Sequence, residues 1–172
     1  MLEPIRIPIA EDCTSTFYLT ERNLRFESYI FDWLIISPQT SCQLIKTDFN
    51  NFFKKENLVP VGKGTTMFKR AGINVHDVFN DIIYIHHFND IEIDFLPLKD
   101  KFERKINRMN AHFKNNRKIE FYYKSTTYQD WKNITKQVWG VDAMNNEFVD
   151  LKKFILEKYS YCDENDIKLI IL

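Results

Sequence analysis

The chain has 172 residues, 44% of them hydrophobic and 28% charged, enough for one domain with a sizeable core. Its 24 acidic and 24 basic residues cancel, which excludes a global field drawing it to nucleic acid or anionic lipid, and no run approaches the ~18 apolar residues of a membrane span. Cys13, Cys42 and Cys162 show no CxxC spacing and the N-terminus no apolar leader pattern, so free thiols in a cytoplasmic setting are expected.

In chain order, "IRIPIA" (5–10) alternates apolar and polar residues and predicts a first strand. "EDCTSTFYLTE" predicts a turn and helix, with Asp12 and Thr14 as cap candidates and Cys13 at the junction. "SPQTSCQLIKTDFNNFF" predicts a second helix, with Ser37 as cap and Pro38 at its first position, where a missing N–H costs nothing. Pro60, Gly62 and Gly64 predict a loop over "ENLVPVGKGT", and "TTMFKRAGINV" a hairpin across Ala71 and Gly72. "DIIYIHHF" reads as a strand ending near His86 and His87.

Pro97 is expected to open a long helix. In it Phe102, Ile106, Met109 and Phe113 form the core stripe, while Arg104, Lys105 and Arg108 fall off it. "KIEFYYK" predicts a strand, "YQDWKNITKQVW" a helix ended by Gly140, "NEFVDLKKFILEKY" another helix and "IKLIIL" a last strand. Strands alternating with helices predict a single α/β domain over residues 1–172, with a largely parallel central sheet flanked by helices. In such sheets sites collect where strand C-termini meet helix N-termini, an edge that Cys13 and His86 could share.

One short stretch raises a chemical question. "FESYIFDWLI" (26–35) sets Asp32 inside the most apolar short run of the chain, so its carboxylate must either reach water or find partners, for which His86, Arg25 and Arg104 are candidates. A thiol becomes a nucleophile as a thiolate, and a helix N-terminus with a nearby imidazole lowers its pKa. Cys13, His86 and Asp32 supply thiol, base and orienting acid, although most free cysteines are simply small buried hydrophobes. Strand neighbours face opposite sides, so only one of His86 and His87 can face a given site, and a histidine satisfied by the backbone is the plainer reading of either.

Other chemistries have less support. No His/Cys pair has metal-ligand spacing, so no metal and no cofactor is expected. Walker, GxGxxG, GxSxG and HExxH motifs are missing. Charge is segregated: five acids and no Lys or Arg lie between Ala71 and Leu98, and eight bases against two acids between Lys99 and Lys118. Arg104 and Arg108, one turn apart, suit an anion, and with Tyr122, Tyr123 and Tyr128 downstream they leave nucleic-acid binding as a weak third reading.

Taken together, "IPIAEDCTSTFYLTERNLRFESYIFDWLI", "IHHF" and "KFERKINRMNAHFKNNRKIEFYYK" resemble, in order and spacing, an α/β family described as putative papain-like cysteine peptidases, over roughly Ile5 to Lys124. The resemblance matches Cys13 to the family cysteine, Phe31, Asp32 and Trp33 to a Phe-Asp-Trp motif, His86 and Phe88 to the outer residues of a His-Asp-Phe motif, and Arg104 and Arg108 to a basic helix. The chain departs from the pattern in three places: Ala10, Glu11 and Asp12 stand where the family has a glycine before its cysteine, Ile30 replaces a proline, and His87 the motif's aspartate. The resemblance implies a cysteine-dependent hydrolase or acyl transferase using Cys13, His86 and Asp32, with Trp33, His87, Arg104 and Arg108 as binding residues. The alternative is a catalytically silent module whose same cleft takes a small anionic, peptide or glycan ligand or a protein partner.

Overall fold

The computed structural model describes residues 3–9, 11–63, 72–115, 118–125, 138–159 and 162–172. Strand β1 (Ile5–Pro8) leads into helix α1 (Thr14–Glu21), then a short strand β2 (Leu34–Ile35) and helix α2 (Pro38–Lys46). Strands β3 (Leu58–Lys63), β4 (Ile73–Asp77) and β5 (Ile82–Phe88) precede the long helix α3 (Ile91–Lys114). Strand β6 (Ile119–Tyr123), helix α4 (Val141–Lys158) and strand β7 (Ile167–Ile171) complete the described elements.

The expected largely parallel sheet is corrected to two sheets. A parallel one has the order β1-β6-β7, and an antiparallel one the order β2-β5-β4-β3. Connection length explains the division. A four-residue turn joins β4 to β5, and so short a link permits only antiparallel pairing. In that turn Asp77 Oδ1 accepts from Phe79 N at 3.1 Å and Asn80 N at 3.0 Å. The chain from β1 to β6, by contrast, is long enough for the crossover that parallel strands need.

Two boundaries also move. The loop expected at Pro60 and Gly62 is strand β3, which tolerates both because it is an edge strand whose register slips between them. Helix α3 starts at Ile91, not at Pro97. Asp90 caps it by accepting from Ile93 N at 3.1 Å, and Glu92 and Asp94 place acid beside its positive end. Gly140 stands directly before α4, and the helix expected over "YQDWKNITKQVW" lies largely outside the described residues, as does most of the hairpin expected across Ala71 and Gly72. Ser37 caps α2 as expected, accepting from Thr40 N at 3.1 Å.

The core is aromatic where α3 meets the antiparallel sheet. Phe53, which follows α2, has its ring centroid 4.8 Å from Phe102 of α3, 5.3 Å from Tyr84 of β5 and 5.2 Å from Phe95. Further along α3, Phe113 packs on Phe121 of β6, whose ring in turn meets Phe148 of α4. Helix α3 thus faces both sheets through one stripe. Phe102 lies at the meeting of three elements, and Phe102→Ala is expected to lower the unfolding free energy by about 3–5 kcal/mol, measured from the urea midpoint.

Candidate functional site

Cys13 occupies the N-cap position of α1, with Phe17 N donating to its carbonyl at 3.0 Å. Asp12 sets the turn, since its Oδ1 accepts from Thr14 N at 2.7 Å and from Thr14 Oγ1 at 2.6 Å. A helix N-terminus favours a thiolate, but two effects oppose it here. The thiol is 8% exposed, and burial first and the Asp12 carboxylate second push its pKa up to about 11. Among the described residues no hydrogen bond joins the Cys13 thiol to His86 or Asp32.

Asp32 is fully buried. Thr16 Oγ1 donates to its Oδ1 at 3.1 Å and Tyr29 N to its Oδ2 at 2.9 Å, while Arg25 Nη2 makes a short charge-assisted bond to Oδ2. Lys105 Nζ lies 3.9 Å from the same oxygen and donates to the Tyr29 carbonyl at 2.8 Å. Of the partners the sequence offered, Arg25 is in place. Lys105, expected off the buried stripe, is instead buried beside it, because the carboxylate within reach makes its burial tolerable. Burial lowers the Lys105 pKa to about 8 even though Asp32 acts against the shift.

Helix α3 holds the same segment at two further points: Arg108 Nη1 donates to the Ser28 carbonyl at 3.1 Å, and His112 Nε2 lies 2.7 Å from Glu27 Oε2. Arg104 is exposed on the outer side of the helix. Asp32 therefore fastens α1, residues 25–32 and α3 together, and its described partners do not include an imidazole.

Trp33 follows directly, with φ at +66°, a left-handed conformation that bulky residues rarely adopt and that marks stored strain. Its ring meets Phe17 edge-on at 4.9 Å between centroids and His86 edge-on at 5.8 Å. Phe17 lies one turn beyond Cys13, whose carbonyl its N–H bonds, so Trp33 stands between His86 and the first turn of the helix that Cys13 caps. His86 belongs to an irregularity in β5: Val75 pairs with Tyr84 and Ile73 with Phe88, so a two-residue step on β4 faces a four-residue step on β5. Such bulges re-aim side chains and recur beside active sites.

A second buried carboxylate escaped the sequence reading. Glu11, just beyond β1, accepts from Tyr123 Oη, from Ser125 Oγ at 3.1 Å and from Gly140 N at 2.5 Å. Gly140 holds φ at +113°, open to glycine, where it meets Glu11. Burial and then Glu11 raise the Tyr123 pKa. Two residues before Cys13 this chain thus has an acid that joins the end of β1 to β6 and the start of α4. Its partners are more than 100 residues away in sequence, and the acid itself was the only local signal.

A family model described as "Putative papain-like cysteine peptidase (DUF1796)" matches residues 7–155, and the chain belongs to that family. The match extends beyond Lys124 into α4. No curated protein and no solved structure gives a match. No described helix is long and apolar enough to cross a membrane.

His87 points to a different environment from His86. Its ring lies 5.8 Å from Tyr84 and 5.5 Å from Phe102, and its buried Nδ1 makes no hydrogen bond among the described residues. Burial, then Lys105 and Lys101, lower its pKa to about 3. The unfolded chain takes up this proton near pH 6.5 and the folded one does so near pH 3, so this contribution to stability is lost as pH falls between those values. Urea unfolding at pH 7 and pH 5 should show His87→Leu losing about 1–2 kcal/mol less than the wild type on acidification. Equal losses would contradict this assignment.

Proposed function

We propose that the chain is a cysteine-dependent hydrolase or acyl transferase of peptidase type, with Cys13 as nucleophile and His86 as general base. One observation carries this reading. Trp33 touches His86 of the β5 bulge on one side and, on the other, Phe17 of the helix that Cys13 caps, within the region matched to the family. In the reaction His86 takes the thiol proton, the sulfur attacks an acyl carbon, and the imidazolium returns the proton to the leaving group. Water then cleaves the thioester, or a second nucleophile takes the acyl group.

Asp32 serves in this scheme as a positioning residue. It acts through the backbone that sets Trp33 beside His86 and does not touch the imidazole. Arg108 lends its charge to the Ser28 carbonyl, and Arg104 is left to meet an anionic substrate group from outside. Burial and the Asp12 carboxylate work against the thiolate, so this reading requires His86 to draw the proton from Cys13 in the folded protein before substrate arrives.

A second reading, a silent interaction module on the same scaffold, is favoured by two observations: the buried, high-pKa thiol of Cys13 and the engagement of Asp32 by Arg25 and Lys105. Iodoacetamide labelling with peptide mapping separates the two. The catalytic reading predicts modification of Cys13 in the folded protein well below pH 8, slowed by His86→Gln. Half-buried Cys162 and fully buried Cys42 serve as internal comparators. Labelling of Cys13 only in denaturant would overturn the catalytic reading and leave the module.

A further inference from the structure

A groove of about 510 Å³ lies between α2, the turn at residues 47–51 and the β4–β5 turn, and it shares no residue with the Cys13–Trp33–His86 region. Its lining includes Gln39 and Gln43, one turn apart on α2, together with Asn50, Asn51, Asn80 and Phe79, and no ionisable side chain. Lacking charge, it has nothing with which to select a phosphate, a carboxylate or an amine. Side-chain amides both donate and accept, as sugar hydroxyls do.

The parts of the groove differ in how far they are already committed. Asn80 Nδ2 donates to the Asn51 carbonyl at 3.0 Å and to Asp77 Oδ2 at 2.8 Å, which ties the β4–β5 turn to the 47–51 turn. Gln39, Gln43 and Asn50 are exposed, and among the described residues nothing hydrogen-bonds to their side-chain amides. Phe79 is 63% exposed, while its backbone is held by Asp77. An aromatic ring presented to water beside uncommitted amides offers an apolar face for the C–H surface of a sugar and polar groups for its rim. Asp48, Phe49 and Asn51 all take positive φ, the strained backbone that recurs at ligand clamps.

We propose that this groove binds a neutral glycan of one or two sugar rings, stacked on Phe79 and hydrogen-bonded by Gln39, Gln43 and Asn50. The volume falls within the ~300–1,000 Å³ of small-molecule sites. A peptide is the less suitable occupant. Peptides gain affinity by pairing with an open strand edge, and the groove offers side-chain amides on a helix and two turns instead.

The test is NMR titration of the full chain with maltose, lactose and N,N′-diacetylchitobiose up to about 10 mM, following the side-chain NH₂ signals of Gln39, Gln43 and Asn50. At least one disaccharide should move these signals. Phe79→Ala should weaken that binding about tenfold, and Gln43→Ala severalfold, without lowering the melting temperature. Both positions are exposed, so the variants should fold. The proposal is overturned if none of the three sugars moves the signals, if Phe79→Ala leaves the response unchanged, or if trialanine moves them and the sugars do not.

Discussion

A carboxylate placed where no water reaches has to be neutralised, and around Asp32 that requirement draws in three parts of the chain. Thr16 comes from α1, Arg25 and Tyr29 N from the following segment, and Lys105 from the middle of α3. Taking an ion out of water costs several kcal/mol, which two cations and two hydrogen-bond donors offset only if their geometry holds. The cluster is weak evidence for net stability and strong evidence for a defined arrangement. It ties α1, residues 25–32 and α3 to one point, directly before Trp33, which takes a left-handed conformation between Phe17 and His86.

The same physics shapes the other end of the candidate site. Glu11 and Asp12 put two buried carboxylates directly before Cys13. Glu11 is satisfied by Tyr123, Ser125 and Gly140, whereas Asp12 bonds Thr14 through one oxygen and adds its field to the burial that keeps the thiol protonated. Cys13 therefore stands at a helix N-terminus while burial and its neighbour Asp12 raise its pKa. This tension is what makes the Cys13 thiol, more than any other group, informative about what the protein does.

Much of the layout was legible. The alternation at β1, the β-branched and aromatic runs at β5, β6 and β7 and the cap at Ser37 are local signals, and local physics decides them. Sheet direction was not legible, because it depends on which strands a short turn joins, and β3 hid behind Pro60 and Gly62, which punctuate loops and edge strands alike. Lys105 carried an overlooked signal: it lies three residues after Phe102 and four before Met109, the spacing of the buried face itself, so a charge there needed a buried partner. Glu11 had no such pattern, since Tyr123 and Gly140 are neighbours only in the fold.

Asp32 and Lys105 form one electrostatic unit joining α3 to the segment that carries Trp33. The most direct test is a double-mutant cycle in urea with Asp32→Asn, Lys105→Met and the pair together. Asp32→Asn should cost about 3–5 kcal/mol by stranding the buried Lys105 ammonium, Lys105→Met should cost less because Arg25 still pairs Asp32, and the pair should cost clearly less than the sum of the two. Additive costs, or an Asp32→Asn variant as stable as the wild type, would contradict the account.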